Sequence, residues 1–199
     1  MSKTLILFAH PRLEKSRSNK ALLARIKPSP NLTFNDLYEE YPDFNIDVER
    51  EKKLLLEHDV IIWQHPFFWY SCPPLLKQWI DLVLELGWAY GPGGTALKGK
   101  IIFNAVTTGG SVEAYKPTGH NRFTVRQYLY PFDQTANLCK MIYLAPFAVQ
   151  GTHKLTSEKL TQLADQYERL LHLLTHDQLD IEAAIKAEFL NDILEQINQ

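Results

Sequence analysis

A chain of 199 residues with a formal net charge of −2, 45% hydrophobic and 22% charged residues, has the size of one packed domain whose fold buries roughly 70% of the unfolded surface. That composition excludes intrinsic disorder, and without a block of Lys or Arg the chain lacks the basic footprint of a nucleic-acid binder. The longest charge-free run, between Asp59 and Lys77, holds three prolines and a histidine, which argues against a membrane span.

Met-Ser-Lys leads directly into the apolar run Thr4 to Ala9, so no secretory leader is expected. Cys72 and Cys139 stand far apart and in no Cys-x-x-Cys pattern, which points to a reducing cytoplasm rather than a disulfide framework or zinc site. His10-Pro11 ends the first strand. The loop from Arg12 to Arg17 is charged and closes on Ser18-Asn19, after which Ala21, Leu22, Leu23 and Ile26 mark a helix stopped by Lys27-Pro28. Ser16 and Ser18 can cap that helix, and its free N–H groups with the positive dipole end suit an anion such as a phosphate, although a cap alone explains the serines.

Leu32 to Asp36 reads as a second strand, Leu37 to Val48 as a polar and aromatic connection, and Glu49 to His58 as a surface helix. The β-branched run Val60 to Trp63 predicts a strand buried on both faces. His65-Pro66 stops it, and Phe67, Phe68, Trp69 and Tyr70 come directly after. Beyond Pro73-Pro74, apolar residues recur at Leu75, Leu76, Trp79, Ile80, Val83 and Leu84 with helical spacing. Four aromatics at the carboxyl end of a parallel strand suit a flat ring system. Cys72, inside this loop, is either a redox-sensitive thiol or an inert small hydrophobe.

Trp88 to Gly99 is a glycine-rich surface loop of the kind used for a lid or a partner contact. Ile101 to Val106 predicts a fourth strand, followed by Thr107-Thr108-Gly109-Gly110, where glycines let the backbone approach a ligand and threonines add donors. Tyr115 and His120 lie just beyond and are candidates for chemistry as well as for plain structure. A helix is expected over Phe132 to Met141, and a fifth strand over Ile142 to Val149 with Pro146 forcing an edge or bulge. Ser157 to Leu174 is an amphipathic helix, and Ile181, Ile185, Phe189 and Ile193 stripe a tail helix with no obvious place in the sheet. We therefore expect an α/β fold, a doubly wound five-stranded parallel sheet with helices on both faces. Its strand-end loops would gather a polar helix start, an aromatic wall and a Gly-Gly cradle. The residues imply a planar, phosphorylated cofactor or nucleotide, with neither Gly-x-x-x-x-Gly-Lys-Ser/Thr nor Gly-x-Gly-x-x-Gly present.

Ala9-His10-Pro11 with Ser16, Ser18 and Asn19, Gln64-His65-Pro66 with Trp69-Tyr70 and Pro73 to Lys77, Gly87 to Gly91, and Thr107 to Gly110 together resemble the flavodoxin-like NAD(P)H:quinone oxidoreductases. Tyr41 to Asp47 brings the chain nearest to the small bacterial members, some of which are ancillary flavoproteins of glutathione-gated potassium efflux systems. The resemblance covers residues 4 to about 150 and implies a flavodoxin-like flavin-binding domain, which we expect over residues 1–178; the helical tail over 179–199 lies beyond the part that matches the short members. It implies FMN, with FAD open, and NADPH or NADH as co-substrate. His10, Ser16, Arg17, Ser18 and Asn19 would lie near the flavin phosphate, Pro66, Phe67, Phe68, Trp69 and Tyr70 against the ring, and Thr107, Thr108, Gly109 and Gly110 along its pyrimidine edge. Tyr115 and His120 match the family's hydride-transfer pair, the His one residue nearer the Tyr than in mammalian members. The family forms homodimers with the active site at the subunit interface, near which the Trp88 to Gly94 loop would lie. The activity implied is two-electron, ping-pong reduction of a quinone. The alternatives are a flavin-bound regulatory subunit touching a membrane potassium efflux transporter, and a flavodoxin-type electron carrier.

Overall fold

The computed structural model describes residues 1–196. Its strands are β1 (Thr4–Phe8), β2 (Leu32–Asp36), β3 (Val60–Pro66), β4 (Ile101–Thr107), β5 (Ile142–Tyr143) and β6 (Phe147–Val149). The helices are α1 (Arg17–Leu23), α2 (Leu37–Glu40), α3 (Val48–Glu57), α4 (Pro74–Val83), α5 (Val125–Tyr128), α6 (Tyr130–Leu138), α7 (Ser157–Thr175), α8 (Ile181–Lys186) and α9 (Leu190–Gln196). All strand pairs are parallel in the order β2-β1-β3-β4-β5, with β6 also on β4. The chain leaves β1 for β2 on one side and returns to β3 on the other, so the sheet has its switch point between β1 and β3.

Side-chain parity divides the core into two layers. Leu5, Leu7, Ile61, Trp63, Ile102 and Val106 face one side and pack under α3, α4 and α6 through Leu55, Trp79, Val83 and Phe132. Ile6, Phe8, Val60, Ile62, Phe103 and Ala105 face the other, under α1 and α7 through Leu22, Leu160, Tyr167 and Leu171. A buried carboxylate ties the first layer together. Glu51 accepts hydrogen bonds from the Trp79 indole at 2.8 Å, the Tyr41 hydroxyl at 2.6 Å and the Asn35 amide at 3.1 Å, and pairs with Arg50. It thus fixes the Tyr41 to Asp47 loop, since a buried charge is tolerated only when so satisfied.

The expected fifth strand is one position held by two pieces, β5 and β6, broken at Leu144 to Pro146. Proline has no N–H to donate, and the break occurs at the sheet edge where that loss is tolerated. The stripe from Ile181 to Ile193 forms two helices rather than one, because Ala187 turns extended at ψ 157°. The tail lies over the edge: Ala145 N–H donates to Ala184 O at 2.9 Å, Leu190 N–H to Pro146 O at 3.0 Å, and Ala148 N–H to Asn191 Oδ1 at 2.8 Å. Ala184, Leu190 and Leu194 are fully buried in the second layer. Residues 197–199, the end of the expected tail, lie outside the described residues. The Trp88 to Gly99 loop is anchored, with Ala89 and Leu97 fully buried and the Lys140 ammonium donating to Gly94 O at 2.8 Å. Among the described residues no helix is long and apolar enough to cross a membrane.

Candidate active site

The register aligns the carboxyl ends of the strands. Phe8 pairs with Gln64, and Ala9 N–H donates to Gln64 O at 2.9 Å, so His10 stands level with Pro66; Pro66 pairs with Thr107, and Thr107 with Val149. Over this row opens a cleft of about 490 Å³ lined by His10, Arg12, Lys15, Ser16, Arg17, Ser18, Pro66, Phe67, Phe68, Thr107, Gly109, Thr152 and His153. Cofactor sites run from roughly 300 to 1,000 Å³.

At one end the walls are cationic and hydroxylic. Ser16 caps α1 by accepting from Asn19 N–H at 3.2 Å, and the Asn19 side-chain amide bridges Ser16 Oγ at 3.1 Å and Thr107 Oγ1 at 3.0 Å. Asn19 Oδ1 is buried without a partner among the described residues. His10 Nδ1 accepts from Arg12 N–H at 3.1 Å, and its ring meets Phe68 edge-on at 5.9 Å. Burial lowers the His10 pKa, partly opposed by the charge of Glu14, so the ring is neutral near pH 7 and carries its proton on Nε2.

At the other end the four aromatics part company. Phe67 N–H donates to Thr107 O at 2.8 Å, and its ring is only 7% exposed. Phe68 and Ser71 exchange backbone hydrogen bonds at 3.2 and 3.0 Å around Trp69 at φ +47° and Tyr70 at φ +64°. Positive φ at both central positions is the type I′ turn, which normally takes Asn or Gly. Two aromatics there cost roughly 1–2 kcal/mol each. The turn throws Trp69 outward to 93% exposure and lays Tyr70 on Tyr128, with ring centroids 5.0 Å apart. Phe67, Tyr70, Tyr115 and Tyr128 form one wall, with Tyr115 5.8 Å from Phe67 and 6.1 Å from Tyr128.

The glycines of the β4 loop are explained by their neighbours. A Cβ on Gly109 would sit 2.7 Å from His153 Nε2, and one on Gly110 2.8 Å from the Tyr115 ring. Thr108 is used structurally: its N–H donates to Val149 O at 2.9 Å and its hydroxyl to Gly110 O at 2.7 Å. The N–H groups of Gly109 and Gly110 take no partner among the described residues.

Of the residues singled out from the sequence, the cleft brings together His10, Ser16, Arg17, Ser18, Pro66, Phe67, Phe68, Thr107 and Gly109. Asn19 lies beneath it; Trp69, Tyr70, Thr108 and Gly110 do not line it, nor do Tyr115 and His120. Tyr115 is 9% exposed within the aromatic wall, and burial followed by the nearby Tyr70 and Tyr128 raises its pKa, so it remains a hydroxyl donor. His120 is exposed beyond Gly119, where a Cβ would strike Glu113 O at 2.3 Å. Cys72 is pushed up to about 11 by burial, which makes it an unreactive thiol at neutral pH. The sequence reading missed Thr152 and His153. Their signal was available, since Gln150 to Lys154 is also a loop at the carboxyl end of a strand.

Residues 2–171 match a family model described as flavodoxin-like fold. A glutathione-regulated potassium-efflux system ancillary protein, KefG of Pectobacterium carotovorum subsp. carotovorum, is 45% identical over 83% of this chain and 90% of its own. YdeQ of Bacillus subtilis, named as an uncharacterized NAD(P)H oxidoreductase, is 43% identical over 83% of this chain and 84% of its own. The crystal structure of general stress protein 14 of Treponema denticola in complex with FMN superposes with a TM-score of 0.82 at 39% identity, over 86% of this chain and 99% of that one. With the cleft's strand-end loops all inside the matched residues, the chain belongs to this family of flavodoxin-like fold.

Proposed function

We propose that the protein is an FMN-dependent NAD(P)H:quinone oxidoreductase. The observation that carries this reading is the cleft itself, cationic and hydroxylic at one end, aromatic at the other and backbone-lined on one flank. The residues present fit FMN. Arg12, Lys15, Arg17, Ser16 and Ser18 offer charge and donors to a phosphate, and the unpartnered Asn19 Oδ1 beneath them accepts a ligand hydroxyl. Pro66, Phe67 and Phe68 suit a flat ring, and the N–H groups of Gly109 and Gly110 suit its polar edge. The FMN in the Treponema structure and the oxidoreductase name of the Bacillus relative support the same choice.

Held by these residues, FMN would supply two-electron redox chemistry between NAD(P)H and a quinone, the two substrates using the same place in turn. The chain's own residues do the rest. Gly109 and Gly110 N–H groups favour negative charge at the edge they face, Tyr115 holds a proton at its hydroxyl for the acceptor, and His120, exposed next to Asn121, is the second side chain offered to the acceptor. Trp69, Tyr70 and Phe123, all exposed, present an aromatic rim that supports homodimerisation across the mouth of the site. That rim, with the KefG relative, also supports a second reading in which the flavin-loaded protein docks on a potassium efflux transporter.

Initial rates with NADPH and a benzoquinone varied together test the enzyme reading. Parallel double-reciprocal lines are expected, and in Tyr115→Ala slower turnover with FMN retained. Intersecting lines would remove the ping-pong scheme, and no turnover by FMN-loaded protein would leave the docking subunit.

A further inference from the structure

The family match stops at residue 171, and the chain beyond it is built into the sheet edge. α8 and α9 supply Ala184 O and Asn191 Oδ1 as acceptors for edge N–H groups and donate Leu190 N–H to Pro146 O, in effect covering a strand that would otherwise be open. Phe189 crosses to the other layer and packs against the cluster that contains Tyr115, Val125 and Leu129. The tail therefore touches both layers.

Its second attachment is Arg126. The guanidinium donates to Ile185 O at 3.0 Å and to Ala187 O, carbonyls at the C-terminal end of α8 that lack helical partners and carry the negative end of its dipole. Charge-assisted hydrogen bonds to such groups are among the stronger ones available. Arg126 sits in α5, a single turn of four residues, and a single turn has almost no stability of its own. Two residues along the same turn, Tyr128 stacks on Tyr70, lies 5.8 Å from Phe67 and 6.1 Å from Tyr115, and donates its hydroxyl to Asn121 O at 2.7 Å. One short helix thus carries the clamp to the tail on one side and the aromatic wall on the other.

We propose that residues 181–194 strap the acceptor side of the site through Arg126, a positioning residue that holds α5 and so fixes where Tyr128 and its stacked partner Tyr70 present their rings to the second substrate. This rests on the reading that NAD(P)H and quinone bind at that wall. Arg126 does not line the cleft, so the strap tunes substrate fit without changing how the flavin is held.

The test uses full-length, FMN-loaded protein as wild type, Arg126→Ala, Arg126→Lys and Asn191→Ala, read by amide hydrogen exchange and by steady-state kinetics. In Arg126→Ala we expect residues 116–128 and 181–190 to exchange about tenfold faster while residues 12–19 are unchanged. We also expect quinone KM to rise about tenfold, with kcat less affected and FMN binding unaltered. Lys, a point charge without the guanidinium fork, restores part of both effects. Asn191→Ala frees the tail and loosens residues 116–128 with Arg126 intact. Unchanged exchange at 116–128 in Arg126→Ala, or loosening that extends equally to 12–19, overturns the strap. Should the exchange respond as expected while even wild-type protein reduces no quinone, the strap stands and the enzymatic reading fails.

Discussion

The ends of β1 and β3 carry the same dipeptide, His10-Pro11 and His65-Pro66, and the two histidines do opposite things. His10 lines the cleft, neutral, with Nδ1 accepting from Arg12 N–H. His65 is fully buried on the other layer, where its Nδ1 bonds Pro66 O at 3.0 Å and its Nε2 accepts from the Asn104 amide at 3.0 Å. Its ring stacks on Phe132, and Asn104 in turn accepts from the Tyr143 hydroxyl at 2.5 Å. The cause is one residue of register. Phe8 pairs with Gln64, which puts His65 level with Ala9 rather than His10, and a shift of one residue sends a side chain through the sheet to the other face. A histidine at a strand end is therefore a ligand group or a fixture according to parity, and the dipeptide alone does not say which.

Four perturbations sharpen that contrast, in descending size. His65→Ala should cost about 3 kcal/mol, from the cavity under Phe132 and the stranded Asn104 amide, read by urea unfolding of the apoprotein. Acid should act through the same ring. Burial lowers His65 from its ordinary 6.5 to about 4, so between those values the unfolded chain binds the extra proton. Stability is then full above about pH 6.5 and falls by about 3 kcal/mol as pH drops to about 4, at roughly 1.4 kcal/mol per unit. In His65→Gln that slope should flatten, and an unchanged slope would assign the acid sensitivity elsewhere. His10→Ala should weaken FMN binding about tenfold, or ~1.4 kcal/mol, with thermal stability little changed, since its ring faces the cleft. Smallest, Trp69→Asn should raise stability by about 0.5–1 kcal/mol by relieving a left-handed aromatic, with FMN affinity intact.

The same local rules decided how much of the molecule was legible in its sequence. Strand-end punctuation at His10-Pro11, His65-Pro66 and Thr107 to Gly110 marked three walls of the cleft, because apolar runs that stop abruptly show where a parallel sheet ends. The fourth wall, Thr152-His153, follows the expected end of the last strand at Val149, but no His-Pro, Gly-Gly or aromatic run stands there to single that loop out as the other three were. Phe67 to Tyr70 looked uniform in sequence, yet Phe67 turns in and Trp69 out, since a turn with aromatics at positive φ violates the usual residue signals. Thr108 was read as a ligand donor, but Val149 O and Gly110 O take both its donors, a long-range consequence of β6 lying beside β4. The tail's stripe was visible while its target was not, because an edge that needs covering exists only once the sheet is assembled.

The most direct test of the central claim is the visible absorption spectrum of protein mixed with excess FMN, desalted, then treated with NADPH in the absence of oxygen and afterwards with a benzoquinone. Flavin absorption that survives desalting, bleaches with NADPH and returns with the quinone is the predicted result. Loss of all flavin on desalting would contradict the reading of the cleft, and retained flavin that NADPH leaves oxidised would contradict the reductase while leaving the cofactor site in place.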